Sequence, residues 1–305
     1  MKTVLVTGGN GAVGYNLVAE LKKTSEVIVV DNLSSGSQKC ALDGVSYFYF
    51  DIRDTEKLEQ IFSKENIDTV YHLAANFANQ SSVDFPFLDL DVNGRGILNL
   101  LFIAKKYNVR RFVYTSSSCV YGGQAGSLSE NSPIMLDTPY AITKYLGENY
   151  CEYFVSICDM SIDVYRLFNS YGPGEFSGKY RNVMPNFIFR SLSNDDLIIT
   201  GTGDESRDFT YVGDIVSALL LEGSKGYNVF NVGFGTSTKI YDLASAILLE
   251  TDSKSKIVFT GRREWDHVFT RLSDTSKIRH ERGWEPKVDI EEGLKLYVNW
   301  VNAIV

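Results

Sequence analysis

The chain has 305 residues, 44% of them hydrophobic and 22% charged, enough to bury one large α/β core or two intergrown ones. Its formal net charge is −8 and its pI about 5.1, and the basic pairs Arg110-Arg111 and Arg262-Arg263 are too short for a polyanion track, which excludes a nucleic-acid face. Cys40, Cys119, Cys151 and Cys158 lack metal-ligand spacing, there is no signal-peptide layout, and no stretch nears the ~20 apolar residues of a membrane span; the expectation is a reduced, cytoplasmic protein with no membrane contact and no metal site.

Residues 3–7 are the first predicted strand, a short β-branched apolar run of the kind buried in parallel sheets. Gly8, Gly11 and Gly14 follow, then a helical pattern over 12–23 carried by Val13, Leu17, Val18 and Leu21. Strand, glycine turn and helix are the parts of a βαβ dinucleotide site. Gly8 permits the tight turn, Gly11 the approach of a pyrophosphate, and Gly14 close packing of helix on strand. The helix N-terminus offers unpaired N–H groups to phosphates. The next strand, 27–31, ends in Asp31, 17 residues past Gly14. A carboxylate there suits a ribose and repels a 2′-phosphate, which favours NAD over NADP.

Strands 46–50, 69–74, 111–116 and 162–167 then alternate with helices 55–65, 92–107 and 139–158. That alternation argues for a doubly wound parallel sheet, the Rossmann arrangement. Thr115 to Gly122 place a run of hydroxyls directly after a strand, where one could hydrogen-bond a reacting oxygen. Pro139 suits the first turn of the following helix, on which Tyr140 and Lys144 are four apart and share a face. A phenol at its ordinary pKa of ~10 is a poor base. A nearby ammonium and an oxidised nicotinamide would both favour the phenolate, which could take a proton from a carbinol as hydride leaves.

The second half is less regular. Residues 170–182 read as a loop, 183–193 as a helix, 197–200 as a strand and 201–204 as a turn. A helix begins near Asp214, a strand covers 228–232, a helix lies near 240–250, a strand near 256–259 and a last helix runs from about 290. The expected division is a nucleotide-binding domain of 1–167 plus about 207–232, and a smaller α/β substrate-binding domain of 168–206 and 233–305. The second would cap the strand ends where ligands bind in such sheets.

Several segments together resemble a known family. The glycine-rich start, Asp31-Asn32, Asp51-Ile52-Arg53, His72-Leu73-Ala74-Ala75, the run Ser116-Ser117-Ser118-Cys119-Val120-Tyr121-Gly122 and Pro139-Tyr140 with Lys144 match the extended short-chain dehydrogenase/reductases of the nucleotide-sugar epimerase/dehydratase family. Arg166-Leu167-Phe168-Asn169, Tyr171-Gly172-Pro173-Gly174, Arg207 to Val212 with Asp214, Asn231-Val232-Gly233 and Gly283-Trp284 with Pro286 continue the match in order. The resemblance implies Ser117, Tyr140 and Lys144 as catalytic residues, with Tyr140 the base. It implies a tightly bound NAD held by Gly8, Gly11, Ala12, Val13, Gly14, Asp31, Asn32, Ser35 and Gly36. Asp51 and Ile52 would meet the adenine, Leu73, Ala74 and Ala75 would pass behind the cofactor, and Asn93, Ser116, Tyr140, Lys144 and Phe168 would complete the set. A nucleotide-diphosphate sugar would meet Ser117, Tyr140, Asn169, Asn182, Val183, Arg207, Arg263 and Asp266. Paired guanidiniums suit the diphosphate.

Departures from the family pattern narrow the reaction. Ser118 and Cys119 stand where its dehydratases and decarboxylases carry acids, so dehydration and decarboxylation are disfavoured. Cys119 also resembles a 3,5-epimerase/reductase group, but Gly174 replaces the histidine that chemistry needs. The expected function is a nucleotide-sugar 4-epimerase working through a transient 4-keto sugar. The alternatives are a net C4 dehydrogenase, perhaps GDP-linked, or a non-catalytic binding protein on the same fold. Phe77 replaces a usual lysine and Trp265 a usual glycine, and the loop 77–84 is expected close to the sugar. Thr270 falls near a size-gating position. The resemblance further implies a homodimer through helices 92–107 and 139–158, with Leu146, Tyr150, Phe154 and Ile157 as an apolar stripe, and a role in polysaccharide precursor synthesis.

Overall fold

The computed structural model describes residues 1–304. Seven parallel strands form the central sheet: β1 (Lys2–Thr7), β2 (Ser25–Asp31), β3 (Ser46–Tyr49), β4 (Ile67–His72), β5 (Arg111–Ser117), β6 (Ser161–Leu167) and β7 (Tyr227–Val232). Their spatial order is β7-β6-β5-β4-β1-β2-β3. The order reverses between β1 and β4, and ligands in such sheets bind at that reversal, beyond the strand C-termini. The expected doubly wound sheet is therefore present.

Alternation along each strand feeds two cores. Leu5, Ile28 and Val30 pack on one face against α2 (Thr55–Phe62), α3 (Gly96–Lys106) and α4 (Pro139–Ile157). Val4, Val6, Val27 and Val29 pack on the other against α1 (Ala12–Leu21) and α6 (Val212–Leu219), with Trp284 closing that side. A third core joins α5 (Val183–Leu192), α7 (Ile240–Glu250) and the last helix (Ile290–Ile304) through Phe187, Ile188, Leu243, Ile247 and Val301.

Three local readings change. The helix expected over 92–107 is the C-terminal part of a longer helical run, α-helical over Pro86–Asp89, π-helical over Leu90–Arg95 and α-helical over Gly96–Lys106, and a further short helix, Asn79–Asp84, precedes it. Inside the expected loop 170–182, Ser170–Tyr171 pairs with Thr210–Tyr211. Thr270–Ser273 forms an unforeseen strand, pairing with Ser206–Arg207 and Ser127–Leu128. The strand at 257–260 does pair with 197–200.

Candidate active site

A single cleft opens above the reversal point, with the glycine loop on one wall and the arginines of the C-terminal half on the other. Gly8 has φ +75°, and a Cβ there would stand 2.6 Å from the Ala74 nitrogen. A Cβ on Gly14 would lie 2.7 Å from Gly9 Cα. Only glycine leaves this cradle open to a pyrophosphate. Asp31 accepts from the backbone N–H of Asn10 at 2.9 Å and of Leu33 at 2.8 Å; burial raises its pKa and these bonds oppose that shift. Asp51 pairs with Arg53, which holds its carboxyl down at about 2. Asn32 donates to Asp51 at 2.8 Å. Bare glycine backbone, a helix N-terminus and a carboxylate at the end of β2 fit a dinucleotide without a 2′-phosphate.

The corner that gathers Ser117, Tyr140 and Lys144 lies where β5 ends. Ser117 is the last residue of β5, level with Leu167 of β6. Thr138 caps α4, its hydroxyl accepting from Ala141 N–H at 3.2 Å, and Pro139 opens the helix. Tyr140 and Lys144 therefore project from its first turns. Lys144 Nζ donates to the Thr115 carbonyl at 2.9 Å and lies 5.7 Å from the Tyr140 ring centroid. Burial pulls Lys144 down to about 8, against the pull of Asp89, Cys119 and Glu148.

Burial raises the Tyr140 pKa well above 10, Cys119 and Asp89 add to the rise, and only Ser117 opposes it. Burial thus holds the phenol in its neutral form among the protein's own groups.

A buried polar chain supports this corner. The Ser116 hydroxyl donates to Glu148 at 2.5 Å, Glu148 pairs with Arg166 at 2.6 Å, and Arg166 donates to the Tyr121 hydroxyl at 2.8 Å. Tyr121 donates onward to Asn231 at 2.7 Å. It ties α4 to β5, β6 and β7, and the sequence motifs gave no sign of it.

The opposite wall is cationic. Arg207 is largely buried, donates to the carbonyls of Ser206, Val268 and Phe269, and lies 3.6 Å from Asp266. Burial, with Arg271 next, lowers it to about 10. Arg263 lies over the Trp265 ring, and Trp265 Nε1 donates to Gln80 at 2.9 Å, joining the short helix Asn79–Asp84, expected as a loop, to this wall. Asn169 donates to the Asp208 carbonyl at 2.9 Å, and Asn182 and Val183 begin α5.

The cleft thus gathers nearly every residue expected at it, including Ala12, Val13, Ser35, Gly36, Ile52, Leu73 and Ala75. Two do not line it. Asn93 stands behind the wall, accepting from Asn76 N–H at 2.7 Å and donating to Asp89 at 2.9 Å. Phe168 is packed with Val120, Tyr121 and Leu128. Thr270 also falls outside; its hydroxyl accepts from Ser206, and its neighbour Arg271 enters the cleft instead. Arg271 and Glu175 are cleft residues missed in the sequence. A strand's alternation would have found Arg271 only once 270–273 was known to be a strand.

The sequence profile of the NAD dependent epimerase/dehydratase family matches residues 4–233. The structure of an epimerase from the thermophilic pseudomurein-containing methanogen Methanothermobacter thermautotrophicus is 42% identical, with a TM-score of 0.95, over 99% of this chain and 92% of that one. A putative UDP-glucose 4-epimerase of Methanocaldococcus jannaschii is 32% identical over 301 residues, 98% of each chain. A UDP-N-acetyl-alpha-D-glucosaminuronate decarboxylase of Bacillus cytotoxicus is 31% identical over 320 residues, 99% of this chain and 98% of that one. The protein belongs to the NAD dependent epimerase/dehydratase family, with NAD as its cofactor.

Proposed function

We propose that the protein is a 4-epimerase of a UDP-linked hexose. The observation that carries this reading is the composition of the reacting corner: Ser117, Tyr140 and Lys144 converge there, and the next positions, Ser118 and Cys119, bring no carboxylate. Bound NAD supplies a hydride acceptor that can return the hydride. Tyr140 takes the proton of the C4 hydroxyl, and Ser117 hydrogen-bonds that oxygen as it becomes a carbonyl. Lys144, anchored on the Thr115 carbonyl, holds the cofactor ribose. After the ketone turns over, Tyr140 gives the proton back and the opposite C4 configuration results. No further acid or base is required, whereas dehydration calls for a base to remove a proton beside the ketone.

Arg207, Arg263, Asn169 and Asn182 grip the diphosphate, and Asp266 the nucleotide ribose. Residues 168–206 and 233–305 are on this reading the substrate-binding part. The protein acts as a homodimer: Phe102 and Tyr153 are more than half exposed on α3 and α4, and Leu146 and Tyr150 line a shallow groove beside them. Phe154 of the expected stripe belongs to the core. Sedimentation showing only monomer would overturn the dimer.

The test incubates purified protein, with no added cofactor, with UDP-, GDP-, CDP- and dTDP-hexoses and their uronic acids, read by proton NMR. An axial–equatorial exchange at C4 supports the reading. A ketone product with the nicotinamide held reduced would replace it with a dehydrogenase, and loss of carbon dioxide with a decarboxylase.

A further inference from the structure

Arg271 is 5% exposed, yet its Nε has no hydrogen-bond partner. Its other nitrogens reach only a sulfur and a carbonyl: Nη1 donates to Cys119 Sγ at 3.4 Å and Nη2 to the Gly122 oxygen at 2.9 Å. Among the described residues no carboxylate lies within salt-bridge distance of it; Asp266 pairs with Arg207 and Arg262. Asp137 in the same corner is its acidic neighbour, beyond salt-bridge distance and partly open to water; burial raises its pKa and Arg271 opposes that rise. An arginine buried without a direct ion pair is costly, and a guanidinium lining the cleft matches a carboxylate.

Its position says which part of a substrate it meets. Cys119, which it touches, packs against Tyr140 and donates its backbone N–H to Ser117 Oγ at 3.1 Å. Arg271 is thus one side chain, Cys119, away from Tyr140 and Ser117.

We propose that Arg271 selects a hexose carrying a carboxylate, so that the preferred substrate is a nucleotide-linked uronic acid. This rests on the reading of the cleft as a nucleotide-sugar site. It assigns the anion that the nearby arginine lacks, and it distinguishes Arg271 from Arg207 and Arg263, which serve the diphosphate common to all such substrates.

The test is calorimetric titration of the purified protein, with its bound NAD, using UDP, UDP-glucose and UDP-glucuronate, alongside Arg271→Met and Arg271→Lys. Wild type should bind UDP-glucuronate about tenfold or more tighter than UDP-glucose, in line with a charge-assisted bond. Arg271→Met should abolish that preference and leave UDP binding within about twofold, and Arg271→Lys should restore part of it. A wild-type protein with no preference for the uronic acid overturns the proposal, whether or not the variants fold. Equal loss of UDP affinity in Arg271→Met also overturns it, by making Arg271 a diphosphate ligand. Because binding is read separately from turnover, a failure of C4 epimerisation with the preference intact would remove the reaction and leave the specificity.

Discussion

The glycine wall and the arginine wall of the cleft face the same space but are made differently. The first is mostly backbone, supplied by one continuous strand, turn and helix, and its shape comes from absent side chains at Gly8 and Gly14. The second is made of side chains from separated segments: Asn169, Asn182, Arg207, Arg263 and Arg271. A backbone wall tolerates almost no added atom. A side-chain wall can lose one member and keep the others, so it is where substrate choice can change without rebuilding the fold.

The residues between the walls should show the largest effect. Tyr140→Phe should lower kcat by about 10²–10⁴ while the protein keeps its NAD, measured by turnover and by cofactor released on denaturation. A variant of near wild-type rate would remove Tyr140 as the base. On the backbone wall, Gly14→Ala should leave purified protein with little NAD. Alanine favours a helix by up to ~1 kcal/mol, but its methyl would press on Gly8 and Gly9 backbone. Undiminished cofactor content would show that the cradle can give way. On the other wall, Arg207→Ala should raise KM about 10–100-fold with a smaller change in kcat. A kcat loss with unchanged KM would move Arg207 into the reaction itself.

The smallest effect concerns Glu175, a buried cleft carboxyl with one unpartnered oxygen, which burial raises from 4.5 to about 7. The folded state therefore binds this proton more tightly than the unfolded chain does. Its unfavourable contribution is absent below about 4.5 and complete above about 7, so stability falls as pH rises through that window. Glu175→Gln should flatten this part of the profile, raising relative stability by about 2–3 kcal/mol at pH 8 over pH 5. Urea unfolding at the two pH values would show it; parallel profiles for both proteins would place the titration elsewhere.

What could be read in advance follows the same division. β1, the glycine turn and α1 are contiguous, so spacing alone locates them, and the alternation of strand and helix gives the sheet class. Tyr140 and Lys144 share a face because helix geometry is fixed. The rise in the Tyr140 pKa was hidden because it comes from burial by distant segments. Arg271 was hidden because Thr270-Arg271-Leu272-Ser273 carries an apolar residue out of phase with its buried face: Arg271 and Ser273 turn inward.

The seventh strand carries a consequence for biosynthesis. β6 ends at Leu167, and its neighbour β7 does not begin until Tyr227. While the intervening segment is being translated, a six-stranded sheet offers the whole β6 edge to any other extended polypeptide. Asn231, the terminus of the polar chain behind Ser116, arrives with that last strand. The nascent chain therefore completes the polar support behind Ser116 only when that edge is covered, and a chain arrested near residue 200 would carry Ser117, Tyr140 and Lys144 and still lack Asn231.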